Sequence, residues 1–404
     1  METSKKKILI VLTKAPYPVT DGTRKRLWED LIKGLYPEFD LDLLLIGPEK
    51  VEPEVERALL GFFSQVKVFH LSFLKFVINA CKSIFSNRPL QVEAYASRAA
   101  QTWLKNNFDH YHSAYFHTIR PGIYLESLSA DQRSRVLLDL NDAISLNYQD
   151  ARRLATWPWR LVYGLEAERV ARYESKLLSL VSRANVVSIF DEQHLLANCL
   201  AKNLKCPEFT RIFIGMEADQ SVAPVPLSGR QDLLFFGNLK YPPNHDALTY
   251  LVQRLWPKIR QQHPSLRLLI AGQGSEHLSV TADNIVGLGF VDDLSVLFSR
   301  VRLLLAPIRF GAGVPTKMLE SLSRGVPVIT TPVGARGLAP DSQSGIVCLG
   351  ESDELAWVQT INSLLVDSSR YQQLADDGVA FIARHYQRET VRARYVNIFR
   401  QLSC

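Results

Sequence analysis

This sequence predicts an α/β chain built as two doubly wound parallel sheets, on three observations. In each half, short apolar runs alternate with helical segments, the rhythm of strands joined by crossover helices. The 404 residues, 47% of them apolar, are enough for two cores of about 200 residues each. Several apolar runs end in loops bearing glycine or charge, where open parallel sheets hold their ligands.

In the first half the runs at 8–12, 41–46, 66–71, 113–117, 136–140 and 186–190 read as strands, with helical patterns over 26–35 and 91–106. Lys5, Lys6 and Lys7 before the first run imitate a signal sequence, but its apolar core of five residues is too short. No apolar run approaches the ~20 residues needed to span a bilayer. The second half repeats the pattern at 233–236, 266–271, 286–288, 303–306, 326–330 and 346–349. Residues 218–229, with Pro224, Pro226 and Gly229, are the linker candidate. The expected domains are 1–205 and 206–385, with a last helix, 386–404, crossing back to the first domain or simply capping the second.

The most informative stretch runs from Arg309 to Gly334, after the apolar run 302–307. After the apolar strand come Arg309, Gly311, Gly313, Pro315, Lys317 and Glu320, then the stop Gly325 and a second strand. Gly311 and Gly313 allow a ligand close to the backbone. Pro315 suits a first helical position, and Met318, Leu319 and Leu322 share a face. The free N–H groups of that helix start, with Lys317 in its first turn, suit an anion. Glu320 would repel phosphate, so hydroxyls are its expected partners. Phosphate and hydroxyls together describe a nucleotide sugar, although the glycines could equally serve a tight turn alone.

The block resembles the donor-binding signature of glycosyltransferase family 4, a retaining group with the GT-B fold of two Rossmann-like domains facing a cleft. Glu320 matches the second glutamate of that signature, and Gly325, Pro327 and Val328 match the run after it. Ala312 stands where the first glutamate belongs, as in a branch carrying Gly-x-Gly and a lysine and associated with bacterial exopolysaccharide and capsule synthesis. Gly22 matches a glycine loop under the donor phosphates. Gly237 matches the loop opening the second domain, but Asn238 and Asn244 replace the usual phosphate-binding arginine and lysine. Lys240, Arg309 and Lys317 are the cations left for the diphosphate. The loops at Gly272 and Val291 would border the base. His277 in place of a third glycine weakens a nicotinamide reading.

The resemblance therefore implies a donor site of Gly22, Gly237, Asn238, Lys240, Gly272, Val291, Arg309, Gly311, Ala312, Gly313 and Val314, with catalysis by Lys317 and Glu320. On the acceptor side, His117 ends a strand with Arg120 one turn on, as general base or sugar ligand. Asp142 follows the next strand. The expected activity is a hexosyltransferase-type transfer from a nucleoside diphosphate sugar to a glycan or lipid-linked acceptor. A non-catalytic GT-B nucleotide-sugar-binding or scaffold subunit is the alternative.

Charge and cysteines narrow the rest. Up to position 205 there are 28 basic and 23 acidic residues, and after it 19 and 18, so the excess sits in the first half. That suits an anionic acceptor or membrane surface, or a solvated face. No basic block is interleaved with aromatics, so nucleic acid is not expected. Five cysteines without paired spacing give no disulfide framework or zinc site, and a reducing, cytoplasmic setting fits. No carboxylate pair suggests a metal, since Asp40 and Asp42 lie at a strand start, and no cofactor is expected. Phe73, Phe76, Val77, Ala80 and Ile84 form a stripe near Lys75, Lys82 and Arg88. Trp157 and Trp159 sit among Arg152, Arg153 and Arg160. Both read as peripheral contacts with the inner face of an anionic membrane, or as core packing.

Overall fold

The computed structural model describes residues 5–83, 85–155, 157–217, 229–278, 284–311, 314–338 and 343–402. The chain divides into two compact units, Met1–Gly215 with Arg388–Cys404, and Met216–Gln387.

The first unit holds β1 (Lys7–Leu12), β2 (Asp40–Gly47), β3 (Gln65–His70), β4 (Ser113–His117), β5 (Val136–Asn141), β6 (Arg183–Val186) and β7 (Glu208–Arg211). They form one parallel sheet in the order β3-β2-β1-β4-β5-β6-β7. β1 and β4 are buried almost throughout, which is why β1 reads as an unbroken apolar run, while β4 carries the buried polar residues Ser113 and His117 at its ends. Strand order reverses at β1, so the ligand crevice of such a sheet lies beyond the carboxyl ends of β1 and β4.

Three expectations need correction here. The strand expected at 186–190 lies earlier, at β6, because the Ser188 hydroxyl accepts from Asp191 N at 3.1 Å and starts the helix Ile189–Leu200. The helix expected over 91–106 is two, Leu90–Glu93 and Arg98–Asn107, the second capped by Ser97. β7 extends the sheet past 205, so the first unit runs to Gly215.

The helix after β1 starts at Gly22, widens to a π-helix over Arg26–Ile32 and closes again at Lys33–Leu35. The last helix, Arg388–Leu402, belongs to the first unit and buries Val391, Tyr395 and Phe399 in a cluster with Leu27, Leu31 and Leu35. Its first residue pairs with Asp30 (Nε to Oδ1, 3.1 Å), while Asp30 Oδ2 accepts from Gly215 N at 2.7 Å. Burial pushes the Asp30 carboxyl up to about 6 despite these partners.

The apolar stripe on the helix Phe73–Lys82 splits between two faces. Phe76 meets the Tyr95 ring edge-on at 5.1 Å and Asn79 is buried, whereas Phe73, Leu74, Val77 and Ile78 stand exposed. Ile84 lies outside the described residues.

The second unit holds β8 (Asp232–Phe236), β9 (Leu268–Ala271), β10 (Ile285–Gly289), β11 (Val301–Ala306), β12 (Val328–Thr330) and β13 (Ile346–Cys348), all parallel in the order β10-β9-β8-β11-β12-β13. Its reversal falls between β8 and β11, the strands that lead into the Gly237 and Gly311 loops. Of the expected linker, residues 218–228 lie outside the described residues.

Candidate functional site

In the second unit the site grows from the loop after β8. Gly237 has φ 157°, its N–H donates to Ala271 O at 2.9 Å, and a methyl group on it would sit 2.8 Å from Asn244 Nδ2 and 3.2 Å from Lys317 Nζ. Only glycine leaves room for both side chains. Gly272 faces it with φ 127°, and a methyl there would lie 2.2 Å from the Gly237 carbonyl. The two glycines thus hold the β8 and β9 loops in backbone contact.

Lys317, in the helix Thr316–Leu322, reaches this loop. Its ammonium donates to Asn244 Oδ1 at 2.5 Å and lies 5.3 Å from the centre of the Phe235 ring. Asn244 in turn donates from Nδ2 to Asn238 O at 2.9 Å. Burial pushes the Lys317 ammonium down to about 7, where a bound anion would restore its charge. Read from the sequence as a missing cation, Asn244 instead positions the one that remains. Pro315 occupies the cap rather than the first helical position, and the helix has seven residues.

Glu320 is buried on the same helix, and its carboxylate accepts from Arg324 Nη1 at 2.5 Å. Arg309, expected among the diphosphate cations, is committed elsewhere: its guanidinium forms a two-pronged bridge to Asp246, 2.8 and 2.5 Å, under the Tyr250 ring. Lys240 is exposed and turns to a separate cavity of about 480 Å³, lined also by His245, Gly274, His277 and Leu278. The Asn238 side chain closes its own turn, accepting from Lys240 N at 2.8 Å and donating to Gln273 at 3.2 Å. Val291, after β10, and Val314 are half-buried. Gly311 has φ 129°, and its carbonyl accepts from Arg336, a cation the sequence reading missed. Ala312 and Gly313 lie outside the described residues.

The first unit carries its own cluster at the carboxyl ends of β4 and β5. His117 is buried at the end of β4, its Nδ1 3.3 Å from Tyr115 Oη. Tyr115 donates to Asp139 Oδ2 at 2.6 Å, and Arg26 donates to the same oxygen at 2.7 Å and to Tyr395 Oη at 2.8 Å. Burial, with Arg26 and Arg120 nearby, pushes the His117 imidazole down to about 3. At neutral pH it is therefore an uncharged ring. Asp142 accepts from Asn147 at 2.9 Å and from Asn141 at 3.3 Å, and burial pushes its carboxyl up. Arg120 lies over the Tyr95 ring. Gly22 opens its helix behind the cap Asp21, and Arg24 ties that loop to Ala15 O, Thr20 and Glu49.

Arg26, Tyr115 and Asp139 did not emerge from the sequence as partners. The signal that could have found Arg26 is a charged pair spaced by four, Arg26 and Asp30, among Leu27, Trp28, Leu31 and Ile32. Among the described residues no group of three or more His, Cys, Asp or Glu is placed to hold a metal ion.

Residues 230–367 match the family model of Glycosyl transferases group 1. The matched segment covers the whole Gly237–Asn244–Lys317 cluster. Over 98% of its length the chain is 21% identical to 99% of an uncharacterized 44.6 kDa protein in the cps region of Klebsiella pneumoniae. Two solved structures share the fold. Sucrose-phosphate synthase from Thermosynechococcus elongatus has a TM-score of 0.69 at 14% identity, over 98% of this chain and 99% of that one. Anabaena HepE, in complex with UDP and glucose, has 0.66 at 15%, over 98% and 100%. With two parallel sheets, of seven and six strands among the described residues, the fold is GT-B.

Proposed function

We propose that this protein is a family 4 glycosyltransferase that moves a hexosyl group from a nucleoside diphosphate sugar to a hydroxyl of a glycan or lipid-linked acceptor. The anomeric configuration is retained, and the product belongs to a cell-surface polysaccharide. The observation that carries the reading is Lys317, whose ammonium is lodged against Gly237 and Asn244 at the strand-order reversal of the group 1 domain. A lysine held there meets the charge that grows on the leaving diphosphate, with no metal or other cofactor required. Glu320 takes the ribose hydroxyls. The UDP-bound HepE structure and the cps-region relative support the donor class and the pathway type.

The test is a panel of nucleotide sugars incubated with the protein, reading free nucleoside diphosphate, since slow donor hydrolysis needs no acceptor. Release from one donor, with the anomeric configuration of its transferred sugar followed by NMR, supports the reading. Binding without release from any donor favours the non-catalytic subunit, in line with Ala312, Asn238 and Asn244 at positions where related enzymes carry charge.

The protein also docks peripherally on anionic bilayers in the cytoplasm. Phe73 and Leu74 are 78% and 70% exposed, Phe85 92%, and Trp157, Trp159 and Leu165 also lie open. Exposed Lys75, Lys82, Arg152, Arg153 and Arg160 flank them, and a basic, aromatic-bearing surface complements anionic lipid. Among the described residues no helix is long and apolar enough to cross a membrane. Co-sedimentation with anionic but not neutral vesicles, reversed by salt, is expected. Equal binding to both vesicle types, or none, overturns the docking.

A further inference from the structure

The chain of hydrogen bonds in the first unit has a direction, and the direction can be worked out from its proton count. Asp139 is fully buried and accepts from Arg26 Nη1 at 2.7 Å, while its other oxygen accepts from Asn141 N at 2.9 Å. The guanidinium holds the carboxyl below the usual range although burial opposes it, so Asp139 carries no proton. Tyr115 Oη lies 2.6 Å from Asp139 Oδ2. Two oxygens that close need a proton between them, and the tyrosine's is the one available. The phenol has no second proton. Toward His117 Nδ1, 3.3 Å away, it can therefore only accept.

The consequence falls on the imidazole. A neutral ring has one N–H, and the acceptor beside Nδ1 draws it there. Nε2 is left with a lone pair, buried and without a hydrogen-bond partner among the described residues. An unfilled buried acceptor is costly, and it sits at the carboxyl end of β4, beside the strand-order reversal. A lone pair there repels phosphate and carboxylate oxygens and welcomes a hydroxyl.

We propose that Arg26, Asp139 and Tyr115 are positioning residues that lock His117 as its Nδ1–H tautomer, so that Nε2 accepts a hydrogen bond from a substrate hydroxyl. The hydroxyl rests on the glycosyl-transfer reading above, whereas the tautomer does not. The two nearly parallel rings, 10° apart with centres 6.1 Å apart, fix the imidazole plane as well. Specificity then follows from sign: the first unit selects a hydroxyl donor at this point and rejects an anion.

The test is long-range proton–nitrogen NMR on protein labelled with nitrogen-15 histidine, with the His117 signal identified by its loss in His117→Gln. The wild-type ring should show the Nδ1–H pattern and stay neutral through the physiological range. Tyr115→Phe, which keeps the ring but removes the acceptor, should shift His117 toward the Nε2–H form. It should also lower kcat/KM for transfer about tenfold. An Nε2–H ring in the wild type overturns the proposal, as does an unmoved tautomer in a folded Tyr115→Phe. The wild-type spectrum decides even if the variant fails to fold. Because the tautomer is read without turnover, absence of any transferase activity counts against the activity and leaves the positioning intact.

Discussion

At the carboxyl edge of the first sheet, charge is met by side chains: Arg26 by Asp139, Asp139 by Tyr115, Asp30 by Arg388. At the same edge of the second sheet the backbone does most of the work. There Gly237 and Gly272 pack carbonyl to Cα, and one half-buried lysine leans on an asparagine. The first arrangement neutralises itself and presents a single oriented lone pair. The second keeps a cation under-solvated, with no counter-charge paired to it among the described residues. A self-neutralised cluster is suited to reading hydroxyls, and an under-compensated one to gripping a diphosphate. The same parallel-sheet edge thus supports two opposite electrostatic designs.

That contrast is broken most sharply at Arg26. Arg26→Met strands the Asp139 carboxylate in the core and should cost about 3–5 kcal/mol in urea unfolding. Arg26→Met with Asp139→Leu should recover most of the loss, since the pair is removed together. A single variant costing under about 1 kcal/mol would mean that the first unit does not depend on internal pairing.

The second unit is probed at Lys317. Lys317→Gln should lower donor turnover about 10²–10³-fold, the usual worth of one preorganised group facing a developing anion. With its pKa near 7, the free lysine is charged below that pH and loses charge above it, while an anion beside it favours the charged form. Affinity for a nucleoside diphosphate should therefore be greatest below pH about 7. It should fall up to tenfold per pH unit above that, when followed by calorimetry between about pH 7.5 and 8.5, above the last ionisation of the diphosphate and below that of a uracil or guanine base. Lys317→Gln should flatten the slope. For stability the sign runs the other way. The unfolded chain keeps this proton up to the ordinary value of 10.5, so the folded state gains as pH rises from about 7 toward 10.5.

The smallest effect is expected at Arg309. Its bridge to Asp246 is partly exposed, so Arg309→Gln should change stability by no more than about 1 kcal/mol. It should leave nucleoside diphosphate affinity within about twofold. A tenfold loss would return Arg309 to the donor site and show that the second unit shares its anion among several cations.

What the sequence revealed follows the same division. The Gly237 and Gly311 loops are legible because glycine, a strand before and a helix after lie within a dozen neighbouring positions. β1 and β11 are legible because burial on both faces leaves apolar runs, Ile8 to Leu12 and Leu303 to Ala306. β7 is not, since an edge strand with Glu208 and Arg211 exposed carries no such run. Lys317 with Asn244, and Arg26 with Asp139, join positions 73 and 113 residues apart, and only the topology brings them together. Arg309 shows the converse limit: a cation in the right segment whose partner, Asp246, lies 63 positions back.

The last helix has a consequence for how the molecule is made. Val391, Tyr395 and Phe399 fill a core together with Leu27, Leu31 and Leu35, which are translated near the start. The second unit, Met216–Gln387, is synthesised whole before Arg388 is added. The unit begun first is therefore finished last, and its nascent hydrophobic surface waits through the synthesis of an entire neighbour. A chain stopped just short of Arg388 should leave a folded second unit beside a first unit that aggregates or is held by chaperones.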